Sequence, residues 1–197
     1  TLRGNMSAPL FAAVTAHAKK QKGSMHMPAH KGKFPARGGI QNFDITEIPD
    51  TGSLFDGEGA TALAEAQAQK LFGSAATFMS AGGCTLCIQA MFRAAAPHGG
   101  KVVCGRVVHR SAVNAMSLLG IEPVWVLPDS SAGELFSGRI TAEGVRRALE
   151  KTPEAKAVYI TSPDYFGVIS DVKSIAAVAR EFGVPLLVDC AHGAHLK

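Results

Sequence analysis

Tryptophan and tyrosine are scarce in this 197-residue chain, at one and two residues respectively. So few stacking platforms, with no basic stripe beside them, exclude a nucleic-acid partner. The twenty Lys and Arg residues give a net charge of +4 and a pI near 9.0, but apart from a small cluster from Lys19 to Lys33 they are spread along the chain. That spread weakly favours small anionic ligands. No apolar run approaches the roughly eighteen residues of a membrane span, and no charged-then-apolar leader opens the chain, so a cytosolic protein without a membrane partner is expected. The four cysteines, Cys84, Cys87, Cys104 and Cys190, lie beside predicted strands and helices and not in disulfide-style loops, so buried free thiols are expected. Cys84-Thr85-Leu86-Cys87 has no second CxxC to complete a zinc site. At a helix start the pair suits thiolate redox chemistry or, more simply, packing beside a turn. Also missing are the Gly-Lys-Ser/Thr of a P-loop and the third glycine of the dinucleotide fingerprint.

What is present suits a globular α/β domain, with 47% hydrophobic residues to form a core. Ser7 can cap a first helix with Pro9 in its first turn, Leu10, Phe11 and Val14 on one face and Gly23 as its stop. Residues 24–57 lose periodicity and read as a long ordered arm. The expected organisation is therefore an N-terminal helix and arm over 1–57, then the first part of a larger domain over 58–197. In that second part helix and strand alternate: a helix from Leu63 to Phe72, a strand over Ala75–Met79, a helix opened by Gly82-Gly83, and strands over Lys101–Cys104, Ile121–Leu127, Ala157–Thr161 and Pro185–Val188. Helices over His109–Leu119, Thr141–Lys151 and Asp171–Phe182 separate them. Such alternation predicts a mostly parallel sheet with helices on both faces.

Several residues could carry chemistry. Ser80-Ala81-Gly82-Gly83-Cys84-Thr85 joins a strand to a helix, where backbone N–H groups and the positive helix end can hold a phosphate; a tight turn with no ligand is the alternative. His109 opens a helix at the functional edge of the sheet, placed to stack on a planar cofactor or to cap the helix. Asp189 follows the last apolar strand, where ligands of open α/β sheets sit. A carboxylate in an apolar pocket needs a cation, such as a pyridinium nitrogen, unless it serves as a helix cap or salt-bridge partner. His192 and His195 follow it without a third metal ligand in sight, so no metal site is expected.

Taken in order, Met27-Pro28-Ala29-His30-Lys31-Gly32, Asp44 to Glu47, Gly57 to Phe72, the Gly82–Thr85 cup, Arg106 with His109-Arg110-Ser111, Thr161 to Gly167 and Asp189 to His195 resemble the bacterial ornithine/lysine/arginine decarboxylases. These are pyridoxal-phosphate enzymes of the aspartate-aminotransferase fold, and Asp-x-Ala-His-Gly-Ala-His is the most specific run. The resemblance implies decarboxylation of a basic amino acid, arginine, lysine or ornithine, by the parent protein, which would be a homodimer or higher homo-oligomer with the arm around His30 and Lys31 reaching across. It implies Gly83 and Cys84 in the phosphate cup, His109 on one face of the cofactor ring and Ala191 on the other. Asp189 would hold the ring nitrogen, and His192 and Ser162 would lie near the ring's phenolic oxygen, His192 alternatively near the substrate carboxylate. His109, Asp189 and His192 are the implied catalytic residues.

Two departures stand out. Family members often carry a hydroxyl residue in the cup where this chain has Gly83 and Cys84, and Cys190 replaces an acidic neighbour of the aspartate. The family's Schiff-base lysine, in a Ser-x-His-Lys context, is not in the sequence, and Lys197 lacks that context. With Thr1 at its start, the chain is expected to be an N-terminal fragment, inactive alone. Another pyridoxal-phosphate reaction on the same fold, such as transamination or β-elimination, and a non-catalytic binding module are the competing readings.

Overall fold

The structure is a computed structural model that describes residues 8–20, 25–31, 33, 37–129 and 138–196. The expected helix cap Ser7, its stop Gly23, Lys197 and most of the 128–138 loop lie outside the described residues. The chain divides into two compact units, residues 1–79 and 80–197. The boundary between these units lies after the helix that packs on the first one.

In the first unit, α1 (Pro9–Lys19) starts with proline in its opening turn and packs against α2 (Gly59–Phe72), which ends at a left-handed Gly73. His17 Nδ1 and Lys20 Nζ both reach the Asp50 carboxylate at 2.8 Å, tying the end of α1 to the turn around Ile48 and Gly52. Phe11, from the apolar face read from Leu10, Phe11 and Val14, stacks on Phe43 of the arm at a centroid distance of 5.9 Å. The strand expected over Ala75–Met79 is not formed. Its backbone is served by α2 instead: Gln69 Nε2 donates to the Ala75 carbonyl, and Met79 N–H donates to Glu65 Oε1, both at 2.8 Å. With no neighbouring strand to pair with, an apolar extended segment has no ladder to join, and Phe78 stays exposed.

The second unit is an α/β layer structure in which every strand pair is parallel. Its elements are α3 (Gly83–Ala95), β1 (Gly100–Gly105), α4 (Arg110–Leu119), β2 (Ile121–Val126), α5 (Ala142–Lys151), β3 (Val158–Thr161), α6 (Val172–Glu181) and β4 (Leu186–Asp189). The strand order is β2-β1-β3-β4. Alternation along the strands splits the core into two layers. Val102, Cys104 and Tyr159 pack with Ile88 and Phe92 of α3 and Ala112, Ala115 and Met116 of α4. Val103, Val158 and Ile160 face Val145 and Leu149 of α5 and Ile175 and Val178 of α6. The turn into β1 requires glycine at position 99, where φ is +74° and a Cβ would meet the Gly120 carbonyl oxygen at 2.5 Å.

Chain order runs from β1 to β2 on one side and then to β3 on the other, so direction reverses between β1 and β3. Open parallel sheets bind ligands outside the carboxyl ends of their strands at such a reversal. Here that edge is made by the segments after β1, β3 and β4. No helix among the described residues is long and apolar enough to cross a membrane.

Candidate active site

A cavity of about 510 Å³ opens at this edge, within the usual size of a small-molecule site. Its lining comes from four places: Cys84, Thr85 and Ile88 at the start of α3; Val107 to Ser111 between β1 and α4; Thr161 and Tyr165 after β3; and Asp189, Ala191 and His192 after β4. Residues 105 apart in sequence meet here, Cys84 and Asp189 among them, because the parallel strands end at one edge.

Asp189 ends β4, beside Thr161 of β3 in register, and is only 5% exposed. Its two oxygens are held by the protein. The Ala191 N–H donates to Oδ1 at 3.1 Å, and the Tyr159 hydroxyl donates to Oδ2 at 3.2 Å. No salt bridge joins Asp189 to a Lys, Arg or His among the described residues, so the salt-bridge reading of this acid has no partner there. A carboxylate has about four lone-pair sites, and the remaining ones are available to a cationic ligand.

His109 is the N-cap of α4 and lines the cavity, so the two readings of its ring coincide. Nδ1 accepts the Ser111 N–H at 3.2 Å and lies 2.7 Å from the Ser111 hydroxyl.

The glycine turn opens α3 without any side-chain cap. The first N–H groups of a helix have no intrahelical partner, so this uncapped start is a natural anion site. Gly83 sits at φ +65° with open space where a Cβ would be, so an approaching ligand meets backbone. Ser80, three residues earlier, turns its hydroxyl inward and accepts the Gly82 N–H at 3.1 Å.

Of the residues expected at the site, Cys84, His109, Asp189, Ala191 and His192 line the cavity, and Gly83 begins the helix at its wall. Ser162 does not line it. That side chain is 4% exposed, and its hydroxyl accepts the Ser170 N–H at 3.1 Å, on the far side of the strand end. Its neighbour Thr161 borders the cavity, and its buried Oγ1 has no hydrogen-bond partner within the geometric limits among the described residues. Tyr165 also lines the cavity, edge-on to the His192 ring at 5.9 Å. It is presented by a turn in which Asp164 Oδ1 accepts the N–H groups of Phe166 and Val168 at 2.8 and 2.9 Å. His195 lies outside the lining, and no cluster of three or more metal-ligating side chains occurs among the described residues.

The thiols correct the expectation of four buried cysteines. Only Cys104 is buried, which pushes its thiol up to about 12, and its S–H points to Met116 Sδ at 3.6 Å. Cys84, Cys87 and Cys190 are free and exposed.

The donor set suits pyridoxal phosphate: an uncapped helix start for the phosphate, a buried acid for the ring nitrogen, and an imidazole and a methyl group for the ring faces. The fold is that of part of the large domain of the aspartate-aminotransferase fold. The chain belongs to the Orn/Lys/Arg decarboxylase family, whose major-domain model matches residues 8–197. It is 33% identical over 196 residues to the arginine decarboxylase of Bacillus subtilis, covering 95% of this chain and 40% of that protein. Among solved structures it is similar to the lysine decarboxylase LdcF of Francisella novicida, with a TM-score of 0.77 and 20% identity over 93% of this chain and 28% of the other. It is also similar to the pyridoxal-5'-phosphate dependent protein YhfS of Escherichia coli, with a TM-score of 0.56 and 16% identity over 92% of this chain and 43% of the other. The chain therefore spans about two fifths of the length of the arginine decarboxylase it matches.

Proposed function

We propose that the complete protein carrying this chain removes the α-carboxylate of arginine, lysine or ornithine with pyridoxal phosphate as cofactor, releasing the amine and carbon dioxide. The observation that carries this reading is the convergence of Asp189, His109 and Ala191 on one cavity at the carboxyl edge of a parallel sheet. The identity to arginine decarboxylases of bacilli supports it, and the likeness to lysine decarboxylase folds agrees with it.

Bound there, pyridoxal phosphate supplies a cationic ring that accepts the electron pair released when a bond to a substrate α-carbon breaks. The chain's residues have separable tasks. Asp189 holds the proton on the ring nitrogen, since a buried carboxylate in an apolar wall is stabilised by an adjacent cation. His109 covers one ring face with its imidazole, and Ala191 offers a methyl group to the other without crowding it. The first N–H groups of α3, from Gly83 and Cys84 onward, together with Arg110 at the start of α4, hold the phosphate. Thr161, not Ser162, borders the place the ring would take. His192 stands at the rim beside Tyr165, suited to meet the substrate carboxylate. The Schiff-base lysine belongs to another part of the protein, so the chain alone turns over no substrate. A homodimer or higher homo-oligomer in the cytoplasm is part of the same proposal.

The test is product analysis on the complete protein with pyridoxal phosphate and each of the three amino acids. Release of the corresponding amine with carbon dioxide from at least one is expected. A keto acid in its place would assign transamination, and no product from any of them would remove the reading.

A further inference from the structure

The acid at the cavity floor is held from behind by a residue that never reaches the cavity. Tyr159 sits in the middle of β3 and is fully buried, yet its hydroxyl donates to Asp189 Oδ2 at 3.2 Å. Register explains the reach: Tyr159 pairs with Leu187 and Thr161 with Asp189, so these side chains share one face of the sheet and the phenol extends along it toward the strand end. The ring plane is fixed by Phe92 of α3, stacked on it at 4.8 Å and 30°. The Ala191 N–H takes the other oxygen at 3.1 Å. A carboxylate's terminal torsion is otherwise broad, and two donors to different oxygens narrow it to one orientation. Burial, then the nearby Asp189 charge, hold the phenol proton far more tightly than usual, so Tyr159 remains a donor across the working pH range.

We propose that Tyr159 is a positioning residue for Asp189: together with the Ala191 N–H it locks the carboxylate so that its remaining lone pairs face the cavity and meet the pyridine nitrogen of the cofactor. This rests on the reading that Asp189 binds that nitrogen. A tyrosine that merely filled the core would influence stability and leave the ring nitrogen untouched. One that orients the acid controls how firmly the ring proton is held, because preorganised partners act without reorganising.

The test uses the complete protein, ¹⁵N-labelled pyridoxal phosphate and two variants, Tyr159→Phe and Asp189→Asn. Phenylalanine keeps the ring and its stack on Phe92. With an unchanged near-ultraviolet circular dichroism spectrum, Tyr159→Phe is expected to weaken coenzyme binding about tenfold, as for loss of one charge-assisted hydrogen bond. The ring-nitrogen resonance should move from the protonated toward the unprotonated position. If Asp189→Asn leaves affinity and resonance at wild-type values, the functional reading itself fails. If Asp189→Asn abolishes the protonated resonance while Tyr159→Phe changes neither quantity, the positioning role fails alone. Should Tyr159→Phe not fold, 3-fluorotyrosine at position 159 keeps shape and hydroxyl while changing donor strength. A displaced nitrogen resonance then supports the proposal, and an unmoved one overturns it.

Discussion

His109 serves through one ring both the helix it starts and the cavity it lines. The cap uses Nδ1 and the cavity meets the ring, so the two can be separated by substitution. Asparagine caps helices well but cannot stack. His109→Ala is expected to lower stability by about 1 kcal/mol and also weaken coenzyme binding, whereas His109→Asn should weaken binding with little loss of stability. Thermal unfolding and coenzyme titration of the two variants check this. Which residues could be read from sequence follows the same physics. The place of Asp189 at the cavity was legible because an apolar run ends at a polar residue, and the carboxyl end of a parallel strand is where ligands bind, whereas Ala191 was reached only through the family resemblance. Thr161 and Ser162 were not separable. Side chains alternate across a strand, so a shift of one residue exchanges the cavity side for the far side, and sequence does not set strand ends to that accuracy. Tyr159 left no signal either, since a tyrosine within an apolar run reads simply as a strand former.

At the scale of elements, helices and central strands were legible because caps and periodicity agree. Thr141 and Asp171 accept the N–H groups of Gly144 and Ser174 at 3.1 Å each, at the helix starts their sequence positions suggest. The segment over Ala75–Met79 shows the opposite case. Its composition suits a strand, but a strand also needs a partner, and composition says nothing about who the partner is. The junction of α1 with the turn near Gly52 depends on charge. His17 and then Lys20 hydrogen-bond the Asp50 carboxylate and bring it from 3.8 to about 2. A carboxylate depressed in the folded state contributes stability that is complete above its unfolded value and is lost as pH falls through the folded one. The first unit should therefore loosen as pH falls from about 4 to about 2, and Asp50→Asn should remove that acid-side step. The pH titration of the Asp50 carboxyl carbon by NMR measures it directly.

At the scale of the whole molecule, the sheet order determines what the chain can contribute. Four parallel strands with a reversal between β1 and β3 bring the loops after β1, β3 and β4 and the start of α3 around one cavity, and that cavity lies entirely within residues 80–197. An α/β class with helices on both faces was legible from alternation alone. The strand order was not, because hydrophobic pattern reports burial and not neighbours. The central claim is that the cofactor ring lies with its nitrogen on Asp189. A crystal structure of the complete protein with pyridoxal phosphate tests it most directly. The account predicts an Asp189 carboxylate oxygen within about 3 Å of the ring nitrogen, with the ring between His109 and Ala191. A ring nitrogen facing any other group, with Asp189 still bonded only to Tyr159 and Ala191, would contradict it.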